Sequence, residues 1–249
     1  VYSPLLFSGV IMATKVAVKF SDVKYKQIYL EEVWFLADSI IRKVKKLDDV
    51  ANAPKSGYLI FSKHEITELI LGILSNSANI KKLTNPGKQA RGESAGAFQF
   101  RVDRCNFIKN SFPEIDFSGV LDTKLRNTLE HFDEYLDDFM TTIAKGDFSH
   151  AYPMVAFNIG LSDQDAFNPH LYPVRMYESK TKTFYNFDNI VNIQSIYEVA
   201  IAIDEKLKDE KLELMQKQYL LNPNIPAGSL GDGGCAAGSI IPRNLLCDN

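Results

Sequence analysis

Apolar residues recur at steps of three and four along most of the chain, the spacing that lines one face of a helix. The longest such run lies in Leu121–Gly146, where Leu125, Leu129, Phe132, Leu136, Phe139, Met140 and Ile143 form a stripe and Gly146 stands at a C-cap position. This spacing predicts one continuous helix. A second run from about Asp22 to Asp49 carries Val33, Leu36, Ala37, Ile40, Ile41, Val44 and Leu47. A third opens on Ser62-Lys63-His64-Glu65, a capping-box pattern, continues through Ile66, Leu69, Ile70, Ile73, Leu74 and Ile80, and stops at Asn85-Pro86-Gly87. Lys88–Asn110 keeps helical spacing at Phe98, Val102, Cys105 and Ile108, and a last helix carries Ile193, Ile196, Tyr197, Ala200, Ile203 and Leu207 toward Gln218.

Between Tyr152 and Phe187 that rhythm fails. Aromatic residues, Pro and Asn dominate, and only Val174–Tyr177 and Thr183–Tyr185, flanking the polar turn Glu178-Ser179-Lys180-Thr181, read as strands of a β-hairpin. The expected fold is therefore mainly α: an up-and-down bundle of about five helices with a small β-hairpin and loop insertion before the last one. The expected organisation is an N-terminal extension over 1–20, one helical domain over 21–218 that includes the 150–190 hairpin region, and a flexible Gly- and Pro-containing tail over 219–249.

Composition narrows the function classes. A net charge of −3 excludes a globally basic nucleic-acid coat, although basic patches remain at Arg42, Lys43, Lys45 and Lys46 and at Arg91, Arg101, Arg104 and Lys109. The first patch reads as cations at a helix C-terminus, with phosphate binding as the alternative. In the second, the small residues Gly92, Ala95 and Gly96 point to close helix packing rather than to a phosphate loop, since no Gly-rich nucleotide motif is present. Three cysteines, Cys105, Cys235 and Cys247, make no disulfide framework, and no His/Cys cluster has zinc spacing, so the chain reads as cytoplasmic and free of a structural metal. His150 and His170 fall in loops without partner ligands, and His64 sits in the first turn of a helix. The apolar run within residues 1–11 is too short to span a membrane, lacks a charged leader, and reads as an upstream artefact without function.

The informative chemistry lies inside the longest stripe. With about 100° of rotation per residue, Asn127, His131, Glu134 and Asp138 fall on the side opposite the buried face, so His131 meets water, a second subunit or a ligand. A histidine there can take a proton from a ribose 2′-hydroxyl or return one to a leaving 5′-oxygen, and Arg126 can hold the scissile phosphate. Spacing alone equally admits a solvated row in which Arg126 and Glu130 form an i,i+4 pair.

The stretch LRNTLEHFDEYLDDF resembles the signature helix of the HEPN superfamily, whose motif is Arg, four to six residues, then His, often with Asn directly after the Arg; Arg126, Asn127 and His131 match those three positions. The likeness covers about fifteen residues well, with the helical layout from Asp22 to Gly146 in support. It implies a metal-independent endoribonuclease without cofactor, with His131 in acid–base work, Arg126 on the phosphate and Asn127 orienting. It also implies a homodimer in which two motif helices meet in a cleft, and an antitoxin or other protein partner in defence or toxin–antitoxin systems. Other members bind nucleotides or proteins without cutting, which supplies the alternative: a non-catalytic helical dimer acting as a binding module. The sequence departs from one toxin branch in having Asp133 where that branch has Tyr, and an acidic run, Asp133, Glu134, Asp137 and Asp138, borders the motif.

Overall fold

The structure, a computed structural model, describes residues 18–24, 26–52, 60–61, 64–117, 120, 129–145, 154–163 and 171–221. The chain divides into two compact units, residues 1–207 and 208–249. The described part of the second is helical, over 208–221. All that follows concerns the first.

Five α-helices are described: α1 (Gln27–Val50), α2 (His64–Thr84), α3 (Ala95–Ser111), α4 (Phe132–Ala144) and α5 (Ile193–Leu221). A 3-10 turn at Phe20–Asp22 precedes them. The seven stripe residues of α1, from Val33 to Leu47, are all buried. They pack against Ile66, Ile70, Ile73, Leu74 and Ile80 of α2 and Ile193, Ile196, Ala200 and Ile203 of α5. Trp34 Nε1 donates to Asp204 Oδ1 at 2.8 Å and ties α1 to α5. Gly72 leaves room for the Lys43 stem, since a Cβ there would lie 2.8 Å from Lys43 Cε.

One helix start differs from the sequence pattern. The third helix begins at Ala95 rather than Lys88, capped by the Ser94 side chain, which accepts from Ala97 N at 3.2 Å. Gly92, with φ +83°, sits in the preceding turn, in a backbone region that side chains disfavour. The proposed N-cap Ser62 lies outside the described residues.

The bundle expectation is overturned by a five-stranded mixed sheet, in the order β1 (Ile60–Phe61), β2 (Met154–Leu161), β3 (Leu171–Glu178), β4 (Thr183–Asn186), β5 (Asn189–Asn192). The β3–β4 hairpin is present, with Met176 opposite Tyr185 and Tyr177 opposite Phe184. It is the middle of a larger structure: β2 joins β3 in parallel, β1 joins β2 and β5 joins β4, both antiparallel. The fold is α + β, with helices packed on a sheet. The strands escape a period-two reading for a physical reason. In β2 the register shifts on both sides of Phe157, and Asn158 takes φ +51°, so inward and outward positions do not alternate. In β3 side chains of both faces are covered: Tyr177 enters the main core with Phe184, while Val174 and Met176 enter two smaller clusters.

Candidate functional site

The long stripe is not one helix. Leu129 and Glu130 are helical, His131 is not, and α4 starts at Phe132. His131 takes φ −114°, ψ 37°, and its carbonyl accepts from Tyr135 N at 3.2 Å. Burial explains the break. Leu129 packs on the main core, whereas Phe132, Leu136 and Phe139 pack on a separate cluster formed by Tyr172, Val174 and Phe187. Phe139 stacks on Tyr172 with ring centroids 5.0 Å apart and planes 6° off parallel. One amphipathic run thus serves two apolar clusters, and the chain turns between them at His131.

The turn presents the His131 side chain, 55% exposed, to solvent. It makes no capping bond; its Nδ1 lies 3.2 Å from Glu134 Oε1, one turn along α4. A neutral ring that gives its Nδ1 proton to that carboxylate keeps Nε2 as its proton acceptor. Asp133 and Glu134 occupy the first turn of α4 and complement its dipole. On the other side of the break a groove of about 240 Å³ is lined by Leu71, Ser75, Asn79 and Lys82 of α2 together with Leu129 and Glu130. Arg126 and Asn127, the other two motif residues, lie outside the described residues.

A residue without any sequence signal stands beside the break. Arg175 of β3 lays its guanidinium over the Phe132 ring, 3.8 Å from the centroid. Its NH1 donates to Asn158 Oδ1 at 3.4 Å, and its Nε is buried without a partner. Burial holds the Arg175 pKa below its ordinary value, yet a guanidinium stays charged at neutral pH. Pattern reading had no means of separating it from its strand neighbours: one arginine within Leu-Tyr-Pro-Val-Arg-Met-Tyr-Glu looks like an ordinary outward position.

The other candidate cations are held locally. Arg101 pairs with Glu93 at 2.7 Å and faces Phe98; Arg104 donates to the Lys82 carbonyl at 2.9 Å and faces Tyr29. On α1, Arg42 pairs with Asp38 at 2.7 Å and Lys46 with Glu65 at 2.6 Å, and burial, with Arg42 beside it, lowers the Lys43 pKa. His64 is exposed at the start of α2, and His150 and His170 lie outside the described residues. Among the described residues, no group of three or more His, Cys, Asp or Glu could hold a metal, and no helix is long and apolar enough to cross a membrane.

Comparison of the chain with protein-family models, with curated proteins and with solved structures finds no match to any of them.

Proposed function

We propose that the protein is a HEPN-like, metal-independent endoribonuclease that works from the break before α4. The observation that carries this reading is the exposed His131 imidazole, held through Nδ1 by Glu134 and set at a non-helical junction. In the reaction, Nε2 of the neutral ring takes the proton of a ribose 2′-hydroxyl. The 2′-oxygen attacks the adjacent phosphorus, the bond to the 5′-oxygen breaks as the protonated ring returns its proton to that oxygen, and a 2′,3′-cyclic phosphate and a 5′-hydroxyl are left. Arg126 neutralises charge on the phosphoryl oxygens and Asn127 orients the strand. A strand without 2′-hydroxyls has no nucleophile and is spared. A second copy of the chain completes the cleft. The test is cleavage of single-stranded RNA in the presence of a chelator. Wild type cleaves and His131→Ala falls by at least about a hundredfold; equal rates remove the assignment.

A second reading, a non-catalytic binding module, is favoured by one observation: Met140 on α4 and Val155 and Phe157 on β2 are exposed at 56%, 45% and 52%. Exposed apolar side chains of that size suit a protein partner. Under this reading Met140→Glu abolishes partner capture, while His131→Ala changes nothing.

A further inference from the structure

Arg175 is half-buried and, unlike Arg42 and Arg101, has no carboxylate partner among the described residues. Its one hydrogen bond, to Asn158, is long at 3.4 Å, and its Nε is buried and unmade. A half-buried guanidinium in that state gains most from an anion, because burial has removed water that would otherwise solvate it.

The placement is also prepared. Contact with the Phe132 ring, 3.8 Å from the guanidinium carbon to the ring centroid, and the Asn158 hydrogen bond restrict the guanidinium before any ligand arrives. Asn158 reaches Arg175 from a bulge whose left-handed backbone, φ +51°, is uncommon for a residue other than Gly. Such conformations cluster where a site needs a side chain aimed. The cavity behind Arg175, bounded by Thr67, Ile70, Gly160 and Tyr177, holds about 10 Å³. That is room for about one water, so an anion must meet the exposed half of the fork. The first turn of α4 does not compete for it, since Asp133 and Glu134 already fill that terminus.

We infer that Arg175, stacked on Phe132 next to His131, anchors a backbone phosphate of the RNA strand; the identity of that ligand rests on the ribonuclease reading. Consecutive Cα atoms stand about 3.8 Å apart, so the guanidinium on the Phe132 ring lies within roughly 12 Å of the His131 backbone. Neighbouring nucleotides of one strand can touch both. Arg175 is thus a positioning residue for a phosphate other than the one cleaved.

The experiment measures binding of a single-stranded RNA with 2′-O-methyl groups throughout, which cannot be cut, by fluorescence anisotropy across a salt series. Wild type binds. Arg175→Gln weakens binding about tenfold and lowers the salt slope by about one, as for the loss of one phosphate contact. Arg175→Lys keeps the charge without the planar fork and falls between the two. It also carries the test if the Gln variant does not fold by circular dichroism. Inorganic phosphate competes with the RNA for wild type more strongly than chloride at equal ionic strength, and loses this advantage in Arg175→Lys. Wild-type affinity and slope in both variants, or no binding by wild type, overturns the inference. His131→Ala separates the two proposals: it binds the uncleavable RNA within about twofold of wild type, and if it cuts ordinary RNA at the wild-type rate, the His131 assignment falls while the Arg175 contact stands.

Discussion

α1 and α4 are both amphipathic helices, yet they are held very differently. α1 buries seven apolar residues in a core shared with α2, α5 and the sheet, whereas α4 buries one, Phe139, in a cluster with Tyr172, Val174 and Phe187. At about 1.5–3 kcal/mol for each fully buried large side chain, the difference decides which element opens first. Met140 and Ile143, which continue the apolar stripe of α4, are 56% and 39% exposed. The helix that follows the candidate imidazole is therefore held less firmly than α1, and elements that adjust to a ligand are usually drawn from such less stable parts of a fold.

The contrast can be broken most strongly from the core side. Ile73, fully buried on α2, leaves a cavity when shortened, and Ile73→Ala should cost about 3–4 kcal/mol in urea denaturation, with every probe of unfolding shifting together. Phe139→Ala should cost about 3 kcal/mol, the low end for a buried Phe, because its small cluster leaves fewer neighbours to lose. Its effect should also be local: amide exchange accelerates in α4 while α1 stays protected. Uniform acceleration in both helices would show that they open as one unit.

Alkaline pH also reaches the core. Tyr177 is buried there, and burial, with Asp48 nearby, pushes its pKa well above the ordinary value. Above about pH 10 the unfolded chain releases this proton while the folded one keeps it, so stability is intact below that pH and falls by up to about 1.4 kcal/mol per pH unit above it. Denaturation at a series of alkaline pH values should show a shallower fall in Tyr177→Phe. Smallest of all, Met140→Ser should change stability by no more than about 0.5 kcal/mol, as for an exposed position. A larger loss would mean that Met140 is covered in solution.

The same contrast explains what could be read from the chain. Every stripe position of α1 was legible because a long helix that serves one continuous core keeps one phase, and the α2 stripe followed suit except that Leu69 is only partly buried. The break at His131 was not. Leu129 and Phe132 keep helical spacing although they serve different clusters, so periodicity runs through a turn it cannot register. The sheet hid for other reasons: a bulge at Asn158 scrambles β2, β5 has four residues, and the parallel β2–β3 pair is joined by the nine residues 162–170, too few for the usual helical crossover. Of the candidate site, His131 is placed in the structure, Arg126 and Asn127 lie outside the described residues, and Arg175 became visible only through what it stacks on.

The edge strand carries a consequence for how the molecule is made. Ile60 of β1, encoded before α2, pairs with Leu161 of β2, roughly a hundred residues later, whereas the α1–α2 contact spans neighbouring segments. During synthesis the helical pair can assemble as soon as α2 has left the ribosome. The first strand must wait, unpartnered, until β2 emerges, and through that interval it is open to capture by another nascent chain.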